Sequence, residues 1–195
     1  MNRLLIIYGT TDGQTAKIAR AVAQTWRDNG ATADVILADK AGTLPLPEDY
    51  DGIVVAASLH AGGYQRTVRR WVSSHAEVLT KRTTVFLSVC LGVLQDDARV
   101  REDLDRIARK FFAETGWTPT MTKVVAGALP YTRYGWLKRR IMRHMARKAG
   151  MKTDIRRDYE FTDWADLAIF AKGFLWTVKL CAHRTAPPRS TAAAG

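Results

Sequence analysis

Short, unbroken apolar runs recur along this chain, separated by longer stretches with helical period. Residues 4–8 (LLIIY), 53–58 (IVVAAS), 84–89 (TVFLSV) and 124–129 (VVAGAL) are the clear runs, and residues 33–37 (ADVIL) form a weaker one suited to an edge. A continuous rather than alternating apolar run fits a strand covered on both faces. The intervening stretches repeat apolar residues at three- and four-residue steps. Ile18, Val22 and Trp26 mark a helix over residues 15–29, closed by Gly30. Val68, Val72, Ala76 and Leu79 mark one over 65–80, and Val100, Leu104, Ile107 and Phe111 one over 96–115, closed by Gly116. A last helix from Asp163 carries Leu167, Phe170, Phe174, Val178 and Cys181 on one stripe. Such alternation implies a parallel sheet with right-handed crossovers. The expected class is α/β, a doubly wound parallel sheet of five strands.

Residues 130–162 break the pattern, because about thirty residues stand where a connection of a few is usual. Within residues 133–157 there are ten basic side chains and one acid, Asp154, so this segment supplies +9 of the formal +11. Over residues 136–148 a helical wheel places Leu137, Ile141, Met142 and Met145 on one side, interrupted by Lys138, and Arg139, Arg140, Arg143 and Arg147 opposite. A basic amphipathic helix of that kind suits a membrane interface, and that reading is favoured over a core-docked helix with a solvated charged face because the sheet does not need the insertion. The chain as a whole reads as one domain over residues 1–182, with 130–162 as a basic insertion and 183–195 as a disordered tail. Cys90 and Cys181 lie far apart with no metal-ligand spacing, so neither a disulfide framework nor a metal site is expected. No window of about 20 residues is free of charge, and the apolar N-terminal stretch is too short for a signal peptide.

After the first run comes Gly9-Thr10-Thr11-Asp12-Gly13-Gln14-Thr15, leading directly into a helix. Backbone N–H groups of such a turn converge, the helix dipole favours an anion there, and the hydroxyls of Thr10, Thr11 and Thr15 add donors. The same residues would also serve as a plain turn and cap. No Lys follows as in GxxxxGK[ST], which disfavours magnesium–triphosphate chemistry, and GxGxxG is absent. Ligands in open α/β sheets sit at the carboxyl ends of strands. Ser58-Leu59-His60-Ala61-Gly62-Gly63-Tyr64 and Ser88-Val89-Cys90-Leu91-Gly92 occupy the equivalent ends of the next two core strands.

Residues 8–15, YGTTDGQT, resemble the phosphate loop of flavodoxins. The DGQT variant, the block AGALPYTRY over 126–134, the basic helix after it and residues 153–164, TDIRRDYEFTDW, are similar to one branch. That branch is the flavodoxin-type, quinone-dependent protoporphyrinogen IX dehydrogenases of bacterial haem biosynthesis. The resemblance implies FMN, held by Thr10, Thr11, Asp12, Gly13, Gln14 and Thr15 at its phosphate and flanked by Ser58, Tyr64, Ser88, Val89, Cys90 and Leu91. Asp12 stands where ordinary flavodoxins carry a neutral residue, so backbone donors should read the phosphate. No large aromatic adjoins Ser58, which leaves Tyr64 as the candidate to stack on the flavin.

The implied reaction oxidises protoporphyrinogen IX to protoporphyrin IX and passes electrons to menaquinone or ubiquinone. The redox chemistry belongs to the flavin, so no catalytic side chain is required. His60, His75 and His144 are scattered and form no catalytic set. Two propionates on the substrate and an anionic bilayer around the quinone give the basic insertion its electrostatic purpose. Tyr131, Arg133 and Tyr134 at its start are candidate substrate residues, and Arg139, Arg140 and Arg143 candidate substrate or membrane contacts. The implied place is cytoplasmic, peripheral on the inner face of the cell membrane, with self-association left open. A flavodoxin-like electron carrier is the first alternative, but carriers are typically acidic, unlike this chain of pI about 10.0. An NAD(P)H:quinone reductase is the second, without a recognisable nicotinamide-nucleotide loop. Nucleic-acid binding is not expected, since no recognition motif accompanies the basic helix. Neutralising Arg139, Arg140 and Arg143 together is expected to weaken co-sedimentation with anionic vesicles. Binding that survives at low salt would assign those charges to something else.

Overall fold

The computed structural model describes residues 1–40, 46–136, 140 and 154–185. In chain order these form β1 (Arg3–Gly9), α1 (Gln14–Asp28), β2 (Thr32–Leu37), β3 (Gly52–Ser58), α2 (Arg66–Thr80) and β4 (Thr83–Cys90). They continue as α3 (Ala98–Thr115), β5 (Met121–Ala126), β6 (Ala128–Leu129), β7 (Tyr159–Glu160) and α4 (Trp164–Thr185). β1 to β5 make one parallel sheet in the order β2-β1-β3-β4-β5. The order reverses between β1 and β3, and in open α/β sheets such a reversal opens a crevice at the strands' carboxyl ends. The weak run at residues 33–37 is indeed an edge strand.

Each face of the sheet has its own core. Leu4, Ile6, Val54, Val85 and Leu87 meet α1 and α4 on one side, where Trp26 and Phe174 are both buried and the Trp26 indole N–H donates to the Ala171 carbonyl (2.9 Å). Leu5, Ile7, Ile53, Val55 and Phe86 meet α2 and α3 on the other, with Trp71, Phe111 and Trp117. Two-sided burial is why these strands read as unbroken apolar runs. A third, smaller cluster holds Leu129, Tyr131 and Tyr134 against Leu91, Ile155, Tyr159 and Phe161.

Three details depart from the sequence reading. The last strand begins at Met121 and ends at Ala126, not over residues 124–129. Gly127 still donates to the Cys90 carbonyl (3.2 Å), but the chain then turns away, and Ala128 and Leu129 pair antiparallel with Glu160 and Tyr159. That pair closes the base of the insertion, a long-range contact that no local periodicity announces. Cys181 is exposed rather than on the core stripe, which runs instead through Leu167, Ala171, Phe174, Leu175 and Val178. In α3 only Phe111 and Thr115 are fully buried, while Val100, Leu104 and Ile107 stay half-buried, Leu104 at the crevice.

Gly52 shows how closely α4 lies on the sheet. A Cβ there would meet Val178 Cγ2 at 2.5 Å and Leu4 Cδ2 at 2.9 Å. Overpacking of this kind typically costs about 1–3 kcal/mol. Gly52→Ala is therefore expected to lower the urea midpoint without changing the denaturant slope.

Candidate functional site

α1 begins at Gly13, which takes φ 93° and, lacking a side chain, supplies no cap. No acidic residue occupies the first turn either. α3 and α4 differ: Asp97 accepts from the Arg99 N–H (2.8 Å) at the start of α3, and Asp163 from the Asp166 N–H (2.9 Å) at the start of α4, whereas α2, like α1, starts without a side-chain cap. Helix geometry leaves the N–H groups of the first turn without intrahelical partners. At α1 they belong to Gln14, Thr15 and Ala16, all buried or nearly so. The Thr10 hydroxyl accepts from the Gly13 N–H (2.9 Å) and shapes the turn. Thr15 is 1% exposed, yet its Oγ1 finds no hydrogen-bond partner among the described residues. Leaving such a group unsatisfied costs about 1–3 kcal/mol. An anion at this turn would recover that cost and meet the open N–H groups together.

Both ends of the insertion fasten to this same turn. The Tyr134 hydroxyl donates to Asp12 Oδ2 (3.0 Å), across 122 positions of sequence. Burial, and then the Asp12 carboxylate, hold the Tyr134 phenol well above its ordinary range, so it stays a donor. Asp12 is thus engaged by Tyr134 at the turn's edge. From the other end, Gln14 Nε2 donates to Thr162 Oγ1 (2.9 Å), and that hydroxyl donates to the Ala126 carbonyl (2.7 Å). Lys17 pairs with Glu160 (2.8 Å), and its hydrogen bond keeps the Glu160 carboxyl below the usual carboxylate range. The two ends are also tied to one another. The Thr132 N–H and hydroxyl both donate to Asp158 (2.9 Å each), and the N–H bond above all lowers the Asp158 pKa.

Beside the turn lies a cavity of about 490 Å³, bounded by the ends of β1, β3 and β4 and by the start of the insertion. Its size falls in the range of small-molecule sites, about 300–1,000 Å³. Thr10, Asp12, Gln14, Thr15, Ser58, Val89, Cys90, Leu91 and Tyr134 all line it. Its walls are mainly apolar, with Leu59, Leu104 and Leu129 joining Val89 and Leu91. Burial pushes the Cys90 thiol up, which keeps it protonated and a packing group rather than a nucleophile.

Other candidates go elsewhere. Tyr64 does not line the cavity: its ring packs edge-on against Phe86 (4.9 Å) and Phe111 (5.2 Å), and its hydroxyl bonds Ser88 Oγ (2.9 Å). The α2–α3 aromatic cluster captures the ring, and burial pushes the phenol up to about 12. Ser88 is committed to that bond behind the cavity wall. Tyr131 is fully buried, edge-on between Tyr134 and Tyr159, and supports the wall instead of forming it. Gly13 and Arg133 line a separate recess of about 340 Å³ on the α1 side, with Lys17, Arg20, Asp158 and Glu160. Thr11 is exposed and accepts from Gln65 Nε2 (3.2 Å), which also donates to Ser58 Oγ. Arg140 is exposed, and Arg139 and Arg143 lie outside the described residues.

The sequence reading missed Gln65, which ties the first loop to the second, and Thr162, which anchors Gln14. Gln65 stands in no motif, Thr162 lies within the 153–164 block with nothing there to mark it as an anchor, and only the tertiary fold brings the two here. The loop after β3 is a tight turn in which His60 and Gly63 exchange backbone bonds (2.9 and 3.0 Å), with Ala61 at φ 47° and Gly62 at φ 76°. His60, Ala61 and Gly62 line the cavity through that turn. A 5′-phosphate fits the donor set of the α1 turn, and a planar apolar ring fits the adjoining walls. Among the described residues no group of His, Cys, Asp and Glu is placed to hold a metal.

The model of a family described as a flavodoxin domain matches residues 5–156. Protoporphyrinogen IX dehydrogenase [quinone] of Escherichia coli K12 is 34% identical over 170 residues, which cover 87% of this chain and 93% of that protein. The protein of the same name from Leishmania major is 28% identical over 172 residues, covering 88% of this chain and 74% of that one. Among solved structures, oxidised Flavodoxin 1 from Bacillus cereus superposes with a TM-score of 0.55 at 16% identity, over 89% of this chain and 97% of that chain. A short-chain flavodoxin associated with a non-canonical PDU bacterial microcompartment gives 0.54 at 13% identity, over 91% and 99%. At such identities the structural likeness shows the fold alone.

Gly13→Val forces a β-branched residue into the left-handed region, a strain of about 1–3 kcal/mol, and tilts the turn's donors. Fluorescence titration should show FMN affinity reduced tenfold or more while far-UV circular dichroism stays unchanged. Undiminished affinity would mean that the phosphate sits elsewhere.

Proposed function

The chain belongs to the flavodoxin domain family and, within it, to the protoporphyrinogen IX dehydrogenase [quinone] group, and we propose on that premise that it oxidises protoporphyrinogen IX to protoporphyrin IX, using FMN and a quinone acceptor. The observation that carries the cofactor assignment is the uncapped start of α1 with the buried, unpartnered Thr15 hydroxyl, opening onto an apolar cavity. FMN, when bound, supplies reversible two-electron acceptance.

The chain's own residues bind, orient and exclude water. The N–H groups of Gln14, Thr15 and Ala16 and the Thr15 hydroxyl would hold the phosphate. Tyr134, by donating to Asp12, occupies a carboxylate that would otherwise face the phosphate with like charge. Leu59, Val89, Leu91 and Leu129 provide the dry walls, and the turn at residues 60–63 forms one rim. The protonated Cys90 thiol adds no charge to the wall. The insertion starts at that wall through Tyr134, so a tetrapyrrole entering there meets the basic segment, and Arg133, Arg139, Arg140 and Arg143 are the cations suited to its two propionates. The same charge excess suits an anionic membrane, and on this reading the protein lies on the inner, cytoplasmic face, where menaquinone or ubiquinone is reached. No helix among the described residues is long and apolar enough to cross a membrane, and a peripheral position agrees with that.

Conversion of one substrate molecule removes six electrons and six protons, enough to reduce three quinones to quinols. Under anaerobic conditions the FMN-loaded protein is expected to generate protoporphyrin fluorescence from protoporphyrinogen IX only when menaquinone or ubiquinone is present, at that 1:3 ratio. FMN retention without quinone-dependent fluorescence would leave a carrier or NAD(P)H-linked reductase in place of this reading.

A further inference from the structure

α4 differs from the three other long helices. α1, α2 and α3 bury one apolar stripe and turn charge outward, whereas α4 is apolar on both faces. Its inner stripe is spent on the sheet and on α1. Opposite, Ile169, Trp176 and Leu180 are 71%, 64% and 43% exposed. On a helical wheel these three fall within about 40° of one another. A helix apolar all round is normally covered all round, so the outer row calls for an occupant.

Charge selects the occupant. Lys172 and Lys179 border the row on one edge, and on the other Asp166 is paired with Lys123 (2.7 Å). The chain carries a formal +11, so a second copy would be repelled. Three side chains also fall far short of the ~800 Å² per partner of a stable dimer. An anionic bilayer is attracted by the same charge and accepts the row, whose central Trp176 is of the type enriched at lipid–water interfaces. α4 starts two residues after Thr162, which holds Gln14 at the cavity wall, so the helix that carries the row is anchored beside the cavity at its N-terminal end.

We infer that the outer face of α4, centred on Ile169, Trp176 and Leu180 and bordered by Lys172 and Lys179, is the surface by which this protein lies on an anionic lipid bilayer. The inference deepens the proposed function and rests on its lipid-soluble acceptor. A helix in this pose lies in the interface plane, apolar row inward, rather than spanning.

Flotation of the full-length FMN-loaded protein with vesicles tests it. Wild type should float with equimolar phosphatidylglycerol and phosphatidylcholine, and not with phosphatidylcholine alone. The triple variant Ile169→Gln/Trp176→Gln/Leu180→Gln should lose at least tenfold in vesicle affinity, and Lys172→Gln/Lys179→Gln should shift binding to lower salt. Trp176→Phe should retain binding. Bound FMN and the thermal midpoint report whether the triple variant is folded, and Ile169→Ser alone replaces it if not. Failure of wild type to float, wild-type affinity in the folded variant, or a wild-type dimer that the variant dissociates would each overturn the assignment. Turnover with a water-soluble quinone, without lipid, is read in parallel. Its absence in wild type defeats the functional reading, whereas its presence beside unchanged vesicle binding of the variant defeats only this face.

Discussion

The uncapped first turn of α1 is the constraint on which the rest of the site depends. A buried helix terminus without a cap is costly, and here Gly13 supplies no side chain while the Thr15 hydroxyl is buried without a partner among the described residues. The fold tolerates that cost because the sheet and α4 bury the helix body independently, through Ile18, Val22 and Trp26. Stability is thereby separated from the site. The open donors stay available to an anion, and binding one stabilises the native state by mass action.

The insertion is built onto the same turn from both ends. Tyr134 reaches Asp12, Thr162 holds Gln14, Glu160 pairs with Lys17, and the short β6–β7 pair closes the base. A segment carrying most of the chain's excess positive charge is therefore anchored at the α1-turn end of the cavity.

Much of the fold was legible because the strands are covered on both faces. Runs such as IVVAAS have no other reading between helices of strict period, and Gly116 ended α3 as its position suggested. The edge strand was weaker in sequence for the same reason, being less buried. The turn before α1 was legible as a local pattern, since it is built from consecutive residues. What could not be read was long-range. Tyr64 offered an aromatic at a suitable place in the loop order, but Phe86 and Phe111 from other elements claim its ring. Tyr131 and Tyr134 lie three positions apart, yet only Tyr134 reaches the cavity, because Tyr159 packs on the other. Gln65 joins two loops through contacts with no sequence signature. The exposed row of α4 was legible from helical period, since Ile169, Trp176 and Leu180 fall in a second apolar row beyond the core stripe, and the structure leaves that row exposed.

The central claim is that the α1 turn reads a phosphate. Calorimetric titration of the apoprotein with FMN and with riboflavin, which lacks only the 5′-phosphate, tests it most directly. The account predicts that FMN binds at least a hundredfold more tightly than riboflavin, and that Thr15→Val narrows the gap chiefly by weakening FMN. Equal affinity for the two ligands, or a gap that Thr15→Val leaves unchanged, would contradict it.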